Sequence, residues 1–535
     1  MFKAKDMNLK ISLAYLLLLS LPFSVFAKPS DMPFFAKDVI WNITANIQDN
    51  ISSDSNSFPN ALYPDSALEK EALPGAIVSA PFEKEKEGLL TNSNYYTYMW
   101  QRDSGITMLS LLEELKSALS SGDRESIDKY GTIFINYTKF YDFASKQDSY
   151  SPGIAKFYLS GQPVFAWQNP QNDGPAFTAL VLTEFAALIL SQKEPIVAEG
   201  ITIDKLFISK YLFNVDGKGL INQNLSYIVD HAREKTYDLW ESCTGYMFFT
   251  TMIQIKALTA GAALSANFDN LSLATKYIST AEYLTYQALE HYKIFTYGKE
   301  QFKAYCEGLN FPPNLSFPIY PKYKKNDFSK YRGMSIDSSI VLGILYGDLF
   351  EYSLPSSWVY MSLKEDSFLS NKLDIILKAS KEDLFPTSLE VIKSVRLLAE
   401  KAFSEKGLDP YKVNNELPRG LNLLGRYPGD IYNGTTWNDP LNQGNPWFVT
   451  SLALAHYYYT VAYEIKKIEY AEMGDRQMEL IFKYIKEKQD TSGKSFIMSE
   501  QIDRNTGEQT AAHNYTWSYA QYLLTYQAYI KTREM

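Results

Sequence analysis

Apolar residues with helical spacing recur from about residue 103 to the end of the chain. In the first run, residues 106, 109, 112, 115 and 119 are apolar, which is the spacing of one face of an α-helix. Further runs lie at about 124–144, 174–192, 243–265, 271–293, 337–350, 387–404, 446–467, 474–488 and 515–531. Because strand-like alternation is scarce, the pattern predicts an all-α fold built from repeated helix pairs, as a helical repeat, a bundle or a closed α/α barrel.

The segments between these runs are dense in Trp, Tyr, Asn, Asp, Gly and Pro, and they include 92–103, 161–175, 235–242, 305–336 and 405–446. In a closed α/α barrel such loops would gather at one end and form a cleft. No Gly/Ser-rich or Pro-rich linker divides the chain, so residues 96–535 are predicted to be one domain of the size of a catalytic domain. Residues 28–95 show no sustained period and are predicted to be a lead-in that packs on the barrel. Nothing after the last helical run predicts a C-terminal accessory module.

Composition narrows the classes of function. A hydrophobic share of 46% and a charged share of 21% are ordinary for a globular protein. The net charge of -9 argues against nucleic acid or an anionic membrane as the main partner. Four His residues and no His-x-x-x-His or Cys-x-x-Cys spacing favour no metal site, and we expect no cofactor and a monomer. An aromatic share of 15% suits a carbohydrate cleft as well as a core.

The N-terminus resembles an export signal. Three lysines precede an apolar run over 11–26, and Val25-Phe26-Ala27 suits cleavage by a signal peptidase. We therefore expect residues 1–27 to be a signal peptide and the mature chain to be exported, outside the cell or into a periplasm. An uncleaved anchor is the alternative. In an oxidising compartment Cys243 and Cys306 could pair, but their spacing does not decide it.

The stretch Tyr237-Asp238-Leu239-Trp240-Glu241 places two carboxyl groups and two aromatic rings just before a long apolar run. One interpretation is a sugar site, in which a carboxyl group donates a proton and aromatic faces stack on pyranose rings. The other is structural, because Asp-x-x-Glu before a helix is also the spacing of a capping box. These residues alone do not separate the two.

Five more loop segments share this mixture of aromatic, acidic and amide residues. They are 95–103, 167–175, 425–430, 444–448 and 515–520. Taken in order with 237–241, they resemble the glucoamylases of glycoside hydrolase family 15, and most closely the yeast-type members. The resemblance implies an (α/α)6 barrel and an inverting, exo-acting hydrolase. Such an enzyme releases glucose from the non-reducing ends of starch, glycogen and other α-1,4-linked glucans.

The resemblance also implies roles for residues on the first two segments. Trp100, Arg102 and Asp103 match the residues that hold the terminal glucose. Tyr96 matches a ring that lies under this sugar. Trp167 matches the tryptophan that closes over the substrate.

On the later segments, Glu241 matches the general acid of the family. The wall of the site is carried over to Asp238, Leu239 and Trp240, and further substrate contacts to Arg332 and Trp447. The next family position is often a second acid that touches the neighbouring sugar, and here it is Ser242.

The general base is expected in an Arg-Tyr-Pro-Glu-Asp motif, where this chain has Gly429 in place of the glutamate. An inverting glycosidase needs a second carboxylate to activate water. The sequence offers Asp430, or the nearby Asp439, as a substitute base. Three hypotheses follow: a weakened or rewired exo-hydrolase, an α-glucan-binding protein without useful catalysis, and a trehalase or other α-glucosidase on the same fold.

Overall fold

The computed structural model describes residues 32–53, 72–81, 96–164, 170–242, 244–297, 337–349, 362–434, 442–490, 493–533 and 535. Its helices are α1 Lys37–Asp49, α2 Gln101–Ser121, α3 Arg124–Ala144, α4 Asp173–Ser191, α5 Lys205–Phe207, α6 Leu220–His231, α7 Phe248–Asn267, α8 Leu271–Tyr297, α9 Ser339–Gly347, α10 Ser367–Glu382, α11 Leu389–Leu397, α12 Phe448–Ile465, α13 Ile468–Phe482 and α14 Thr516–Arg533. Short π-helical turns lie at Ile208–Leu212 and Leu398–Ala402, and 3-10 turns at Pro33–Phe35 and Lys412–Asn414.

Six of the described helices form a closed ring. Neighbouring helices pack in the order α2, α4, α7, α9, α12, α14 and back to α2. Helices α4, α7, α9 and α12 are buried around most of their circumference, as expected for helices with neighbours on all sides. Helices α3, α8 and α13 pack outside the ring, on α2, α7 and α12 respectively. The prediction of an (α/α)6 barrel is confirmed.

Glycines allow the inner helices to approach closely. A Cβ atom on Gly105 of α2 would lie 2.5 Å from the Cβ atom of Phe177 on α4. A Cβ atom on Gly347 of α9 would lie 2.6 Å from the Cβ atom of Met252 on α7. Larger side chains at these positions would therefore push neighbouring members of the ring apart.

Helix α4 is long and apolar enough to span a membrane by length and composition alone. However, 89% of its most apolar window is buried inside the protein. A core helix of a barrel passes the same test, because it too is apolar around its whole circumference.

The described strands are short and form five antiparallel pairs: β1 Met99–Trp100 with β2 Lys156–Phe157, β3 Ile196–Ala198 with β4 Ile201–Ile203, β5 Thr236–Tyr237 with β6 Thr244–Gly245, β7 Lys486–Asp490 with β8 Gly493–Ile497, and β9 Gln501–Ile502 with β10 Gln509–Thr510. Two pairs matter for function. Pairing of β1 with β2 places Trp100 opposite Lys156, and pairing of β5 with β6 closes the loop that carries residues 238–242.

The helical periodicity located all six helices of the ring but missed the peripheral helices α1, α5, α6 and α10. Helix α10 has a readable signal, because Asp366 caps its first turn by accepting from two backbone N–H groups. The run predicted at 474–488 was misplaced. The helix there is α13, and the chain then turns into the β7–β8 hairpin.

Candidate active site

The inner helices bring their N-terminal ends together at one end of the barrel. The segments that precede α2, α7, α12 and α14, and the first turn of α14, surround a pocket there. The pocket is lined by Tyr96, Trp100, Arg102, Asp103, Leu239, Trp240, Glu241, Arg426, Tyr432, Trp447, Glu500, Tyr515 and Trp517. This places an aromatic and strongly charged surface where helix dipoles favour negative groups.

Arg102 and Asp103 form a buried charged corner in the first turn of α2. Arg102 donates to the Gln171 and Asp173 side chains at 2.9 and 3.2 Å, and its guanidinium lies 5.3 Å from the Trp517 ring centroid. Burial alone would lower the pKa of Arg102, but the carboxylates of Asp173 and Asp103 outweigh it and raise that pKa. The cation is therefore permanent.

Asp103 does not cap α2, whose N-cap residue is Trp100. It lies inside the first turn, and its Oδ2 atom accepts from the Tyr515 hydroxyl at 3.1 Å. Burial raises the pKa of Asp103 to about 6, although the neighbouring Arg102 acts in the opposite direction. Arg102 Nε and Asp103 Oδ1 form an ion pair at 3.3 Å, but these two atoms and Trp447 Nε1 have no hydrogen-bond partner among the described residues. Such atoms suit a ligand rich in hydroxyl groups.

Glu241 reaches the pocket from a tight turn. Its backbone has a φ of 54°, in the left-handed region, and its N–H donates to the Asp238 carbonyl at 3.0 Å. Its Oε1 atom accepts from the indole N–H of Trp100 at 2.7 Å and lies 3.8 Å from a nitrogen of Arg102. In the described part of the chain only this oxygen of Glu241 has a donor, so Oε2 is left for a ligand.

The capping-box interpretation of 238–241 does not hold. Helix α7 begins at Phe248, and no side chain caps it. Asp238 instead accepts from the backbone N–H of Ser242 at 2.6 Å and from its hydroxyl at 3.2 Å. Asp238 thus shapes the turn that presents Glu241 and is not among the pocket-lining residues. Ser242 also faces Asp238.

A cation lies against an aromatic wall on the other side of the pocket. The rings of Trp240 and Trp447 are 5.6 Å apart, and the Trp240 indole donates to Asp337 at 2.9 Å. Arg426 donates to the Trp240 carbonyl at 3.1 Å, and its guanidinium lies 4.8 Å from the Tyr432 ring centroid. Arg426 was not predicted as a site residue, although it belongs to the 425–430 segment.

The structure places Asp430, the predicted substitute base, behind the pocket. Both of its oxygens accept from Arg426, at 2.6 and 2.7 Å, and its side chain is fully buried. Asp430 therefore orients Arg426 and does not line the pocket. The N–H of Gly429 donates to Asp409 at 3.0 Å. Asp439, Trp167, Arg332, Cys243 and Cys306 lie outside the described residues.

Glu500 is a pocket carboxylate that the sequence analysis missed. It is 1% exposed and accepts from the hydroxyls of Tyr96 at 2.7 Å and Tyr432 at 3.2 Å, and from the amide of Gln501 at 3.2 Å. Burial raises the pKa of Glu500 to about 7, while the Tyr96 hydrogen bond and the charge of Arg426 oppose the increase. No inward–outward alternation marks this position, because every residue from Met498 to Ile502 is buried.

Lys156 adds a further charge beside Glu241. Its ammonium lies 4.4 Å from the Tyr98 ring centroid and 4.2 Å from that of Trp100. Burial lowers the pKa of Lys156 to about 8, against the opposing effect of the Glu241 carboxylate. The Trp100 indole, which donates to Glu241, therefore lies between the Lys156 ammonium and the pocket.

Comparison with known proteins decides the family. The family model for glycosyl hydrolases family 15 matches residues 55–527. The chain belongs to this family. It is 25% identical to a glucoamylase of Blastobotrys adeninivorans, over 94% of this chain and 73% of the relative, and 24% identical to glucoamylase GLA1 of Saccharomycopsis fibuligera, over 86% and 85%.

Solved structures show the same fold. A glucoamylase from Saccharomycopsis fibuligera superposes with a TM-score of 0.60 at 21% identity, covering 93% of this chain and 96% of that one. Hormoconis resinae glucoamylase gives a TM-score of 0.57 at 19% identity, with coverages of 91% and 72%. The family 15 resemblance read from the loop motifs is thus confirmed, and so is the barrel.

Proposed function

We propose that this family 15 protein is an exo-acting glucan 1,4-α-glucosidase that removes glucose from α-1,4-linked glucans with inversion at the anomeric carbon. The observation that carries the proposal is that two carboxyl groups, Glu241 and Glu500, line one pocket and have different hydrogen-bond partners. Inverting glycosidases need such a pair, one to protonate the leaving oxygen and one to activate water.

The partners of each carboxyl group support separate roles. Both oxygens of Glu500 are held by O–H or N–H donors, which stabilise a carboxylate and suit a general base. Glu241 has a donor on Oε1 alone among the described residues, so its other oxygen can carry a proton to the substrate. We therefore assign Glu241 as the acid and Glu500 as the base.

In the proposed reaction, Glu241 gives its proton to the glycosidic oxygen while the bond from that oxygen to C1 breaks. Water attacks C1 from the opposite face, and Glu500 accepts the proton that the water loses. The products are β-glucose and a glucan shortened by one unit. Glu241 ends ionised and Glu500 protonated, so a proton must return from Glu500 to Glu241, through solvent, before the next turnover.

The polar corner at the pocket supports exo action. Arg102 and Asp103 are buried beside the fully enclosed Trp517 and form an ion pair with each other at 3.3 Å; their paired atoms make no hydrogen bond and can bind hydroxyls of a terminal sugar. Tyr96 stacks on Trp100 with ring centroids 5.6 Å apart, which gives that sugar an aromatic floor. A buried corner of this kind suits the end of a sugar chain.

Two earlier hypotheses now have less support. The binding-protein hypothesis depended on a missing base at Gly429, and Glu500 offers a carboxylate from a different segment. A trehalase or other α-glucosidase would differ in its second sugar site, and Ser242 faces Asp238 instead of that site. Export of the mature chain from about Lys28 remains part of the proposal, supported by the N-terminal sequence.

The decisive experiment compares maltoheptaose with α-glucosyl fluoride in Glu241→Gln and Glu500→Gln variants. Fluoride leaves with little help from an acid, so Glu241→Gln should lose turnover of maltoheptaose but keep much of its activity on the fluoride. Glu500→Gln should lose both, because each substrate needs an activated water. NMR of the first wild-type product should show β-glucose.

Specific results would reject these assignments. Full activity of Glu500→Gln on both substrates would remove Glu500 as the base. α-Glucose as the first product would remove the inverting mechanism. Maltose, trehalose and isomaltose, compared as substrates of the wild type, test the linkage.

A further inference from the structure

A second buried ion pair lies behind Glu500. Arg504 follows Glu500 by four residues, is 5% exposed, and pairs with Asp409 at 2.5 Å. Its guanidinium also donates to the carbonyls of Gly444 and Pro410, each at 2.9 Å. The cation therefore ties the segment carrying Glu500 to two other loops near the pocket.

Hydrogen bonds lead from this ion pair to the carboxylate. The backbone N–H of Arg504 donates to the Asn445 side chain at 3.1 Å, and the Asn445 amide donates to Gln501 at 3.1 Å. Gln501 in turn donates to Oε2 of Glu500 at 3.2 Å. Each link joins buried groups, so a shift of Arg504 would be transmitted to Glu500.

The carboxylate of Asp409 makes a second contact. Its Oδ2 atom accepts from the N–H of Gly429 at 3.0 Å, while Oδ1 binds Arg504. The segment around Gly429 also carries Arg426 and Asp430. One carboxylate thus connects the loop of the pocket cation with the loop of the proposed base.

We infer that the Asp409–Arg504 ion pair is a positioning device for Glu500, which holds this carboxylate where it can activate water. The inference rests on the proposed role of Glu500. A general base contributes about 10²–10⁴-fold, and misplacing a reacting group by about 1 Å can cost about 10²-fold. Arg504 itself touches neither substrate nor water in this mechanism.

The chain offers a matched control at the far end of the barrel. Arg533 pairs with Asp475 at 3.0 Å and lies 4.5 Å from the Tyr529 ring centroid, just as Arg504 lies 4.5 Å from that of Tyr411. Arg533 is near the C-terminal end of α14, about 25 Å along that helix from the pocket end. Loss of either arginine should destabilise the fold to a similar extent.

The experiment measures kcat and KM on maltoheptaose for Arg504→Met, Arg504→Lys, Asp409→Asn and Arg533→Met, with thermal unfolding of each. Arg504→Met should lower kcat by about 10- to 100-fold and change KM by less than about threefold, because the sugar-binding corner is untouched. Arg504→Lys should recover part of kcat. Arg533→Met should keep kcat within about twofold at the same loss of thermal stability.

A folded Arg504→Met variant with unchanged kcat would overturn the inference, and so would an equal loss of kcat in Arg533→Met. The double variant Glu500→Gln/Arg504→Met separates this from the proposed function. If Arg504 acts through Glu500, adding Arg504→Met to Glu500→Gln should cost no further activity. If Glu500→Gln is fully active, the base assignment has failed, whatever Arg504 does.

Discussion

The barrel contains buried glutamates in two regions, and the comparison shows how surroundings decide their use. Glu500 lies at the pocket and Glu184 inside the ring, about 16 Å along α4 from its first residue. Burial raises the pKa of each to about 7. The two carboxyl groups therefore have similar pKa values but different neighbours.

Lysines on neighbouring inner helices accompany Glu184. The charges of Lys116 on α2 and Lys256 on α7 oppose the increase in its pKa, and Glu113 adds to it. Lys116 also binds Glu113 at 2.7 Å. Glu500 is held directly by tyrosine hydroxyls and an amide, and it borders open space. A carboxylate held by neutral donors beside a cavity can exchange protons with a substrate, whereas one enclosed among lysines connects helices.

The largest expected effect comes from making the same substitution in both regions. Glu500→Gln should lower kcat on maltoheptaose by about 10²–10⁴-fold, because the amide cannot accept a proton from water. Glu184→Gln should keep kcat within about twofold, since Glu184 lies about 16 Å along α4 from Asp173, the residue of this helix that contacts Arg102. Initial rates of glucose release for both variants test this. Equal losses would show that the two regions are not separate.

The second-largest expected effect is on the pH dependence of the free energy of unfolding, and we expect it in both regions. A carboxyl group whose pKa rises from 4.5 to about 7 on folding keeps a proton that the unfolded chain releases. Stability from Glu184 is therefore present at low pH and declines as pH rises between about 4.5 and 7. At full burial this amounts to roughly 3 kcal/mol.

Urea unfolding at pH 4 and pH 8 measures the contribution of Glu184 to the free energy of unfolding. Glu184→Gln cannot titrate, so the variant should lose less stability than the wild type between these two pH values. The substitution also removes a charged neighbour of Lys116 and Lys256. Because it does so at pH 4 and at pH 8, this loss cancels when the two pH values are compared. Parallel stability curves for the two proteins would contradict the raised pKa of Glu184.

A smaller effect should appear on the pH profile of the pocket alone. Tyr96→Phe keeps the ring but removes the hydroxyl that donates to Glu500. Since that hydrogen bond lowers the pKa of Glu500, its loss should raise the pKa further and move the acidic limb of kcat/KM by about 0.5–1 pH unit to higher pH. The profile on maltoheptaose measures this shift.

Tyr457→Phe is the control for this shift. The Tyr457 hydroxyl is also buried and donates to a backbone carbonyl, that of Pro386, outside the pocket. Its removal should leave the acidic limb in place. An equal shift in both variants would mean that Tyr96 does not act on Glu500 directly.

Features that depend on residues close together in the sequence were predicted, and features that depend on distant residues were not. Helical periodicity found the ring helices, because each buries apolar side chains along its whole length. Loop motifs found the Arg102–Asp103 corner and Glu241, because aromatic and acidic residues cluster there in sequence. Glu500 was missed because its partners Tyr96 and Tyr432 are far from it in the chain. Asp430 was favoured by sequence position, yet Arg426 occupies both of its oxygens.

Ser242 should give the smallest effect and test the second sugar site. Ser242→Ala removes the hydroxyl that donates to Asp238 but keeps the backbone N–H bond that shapes the turn. Because Ser242 is not among the pocket-lining residues, kcat/KM on maltose and maltoheptaose should change by less than about threefold. If KM for maltose alone rises about tenfold, the hydroxyl binds the second sugar, and the turn must rearrange when substrate enters. A small change on both substrates would mean that Ser242 serves the turn alone.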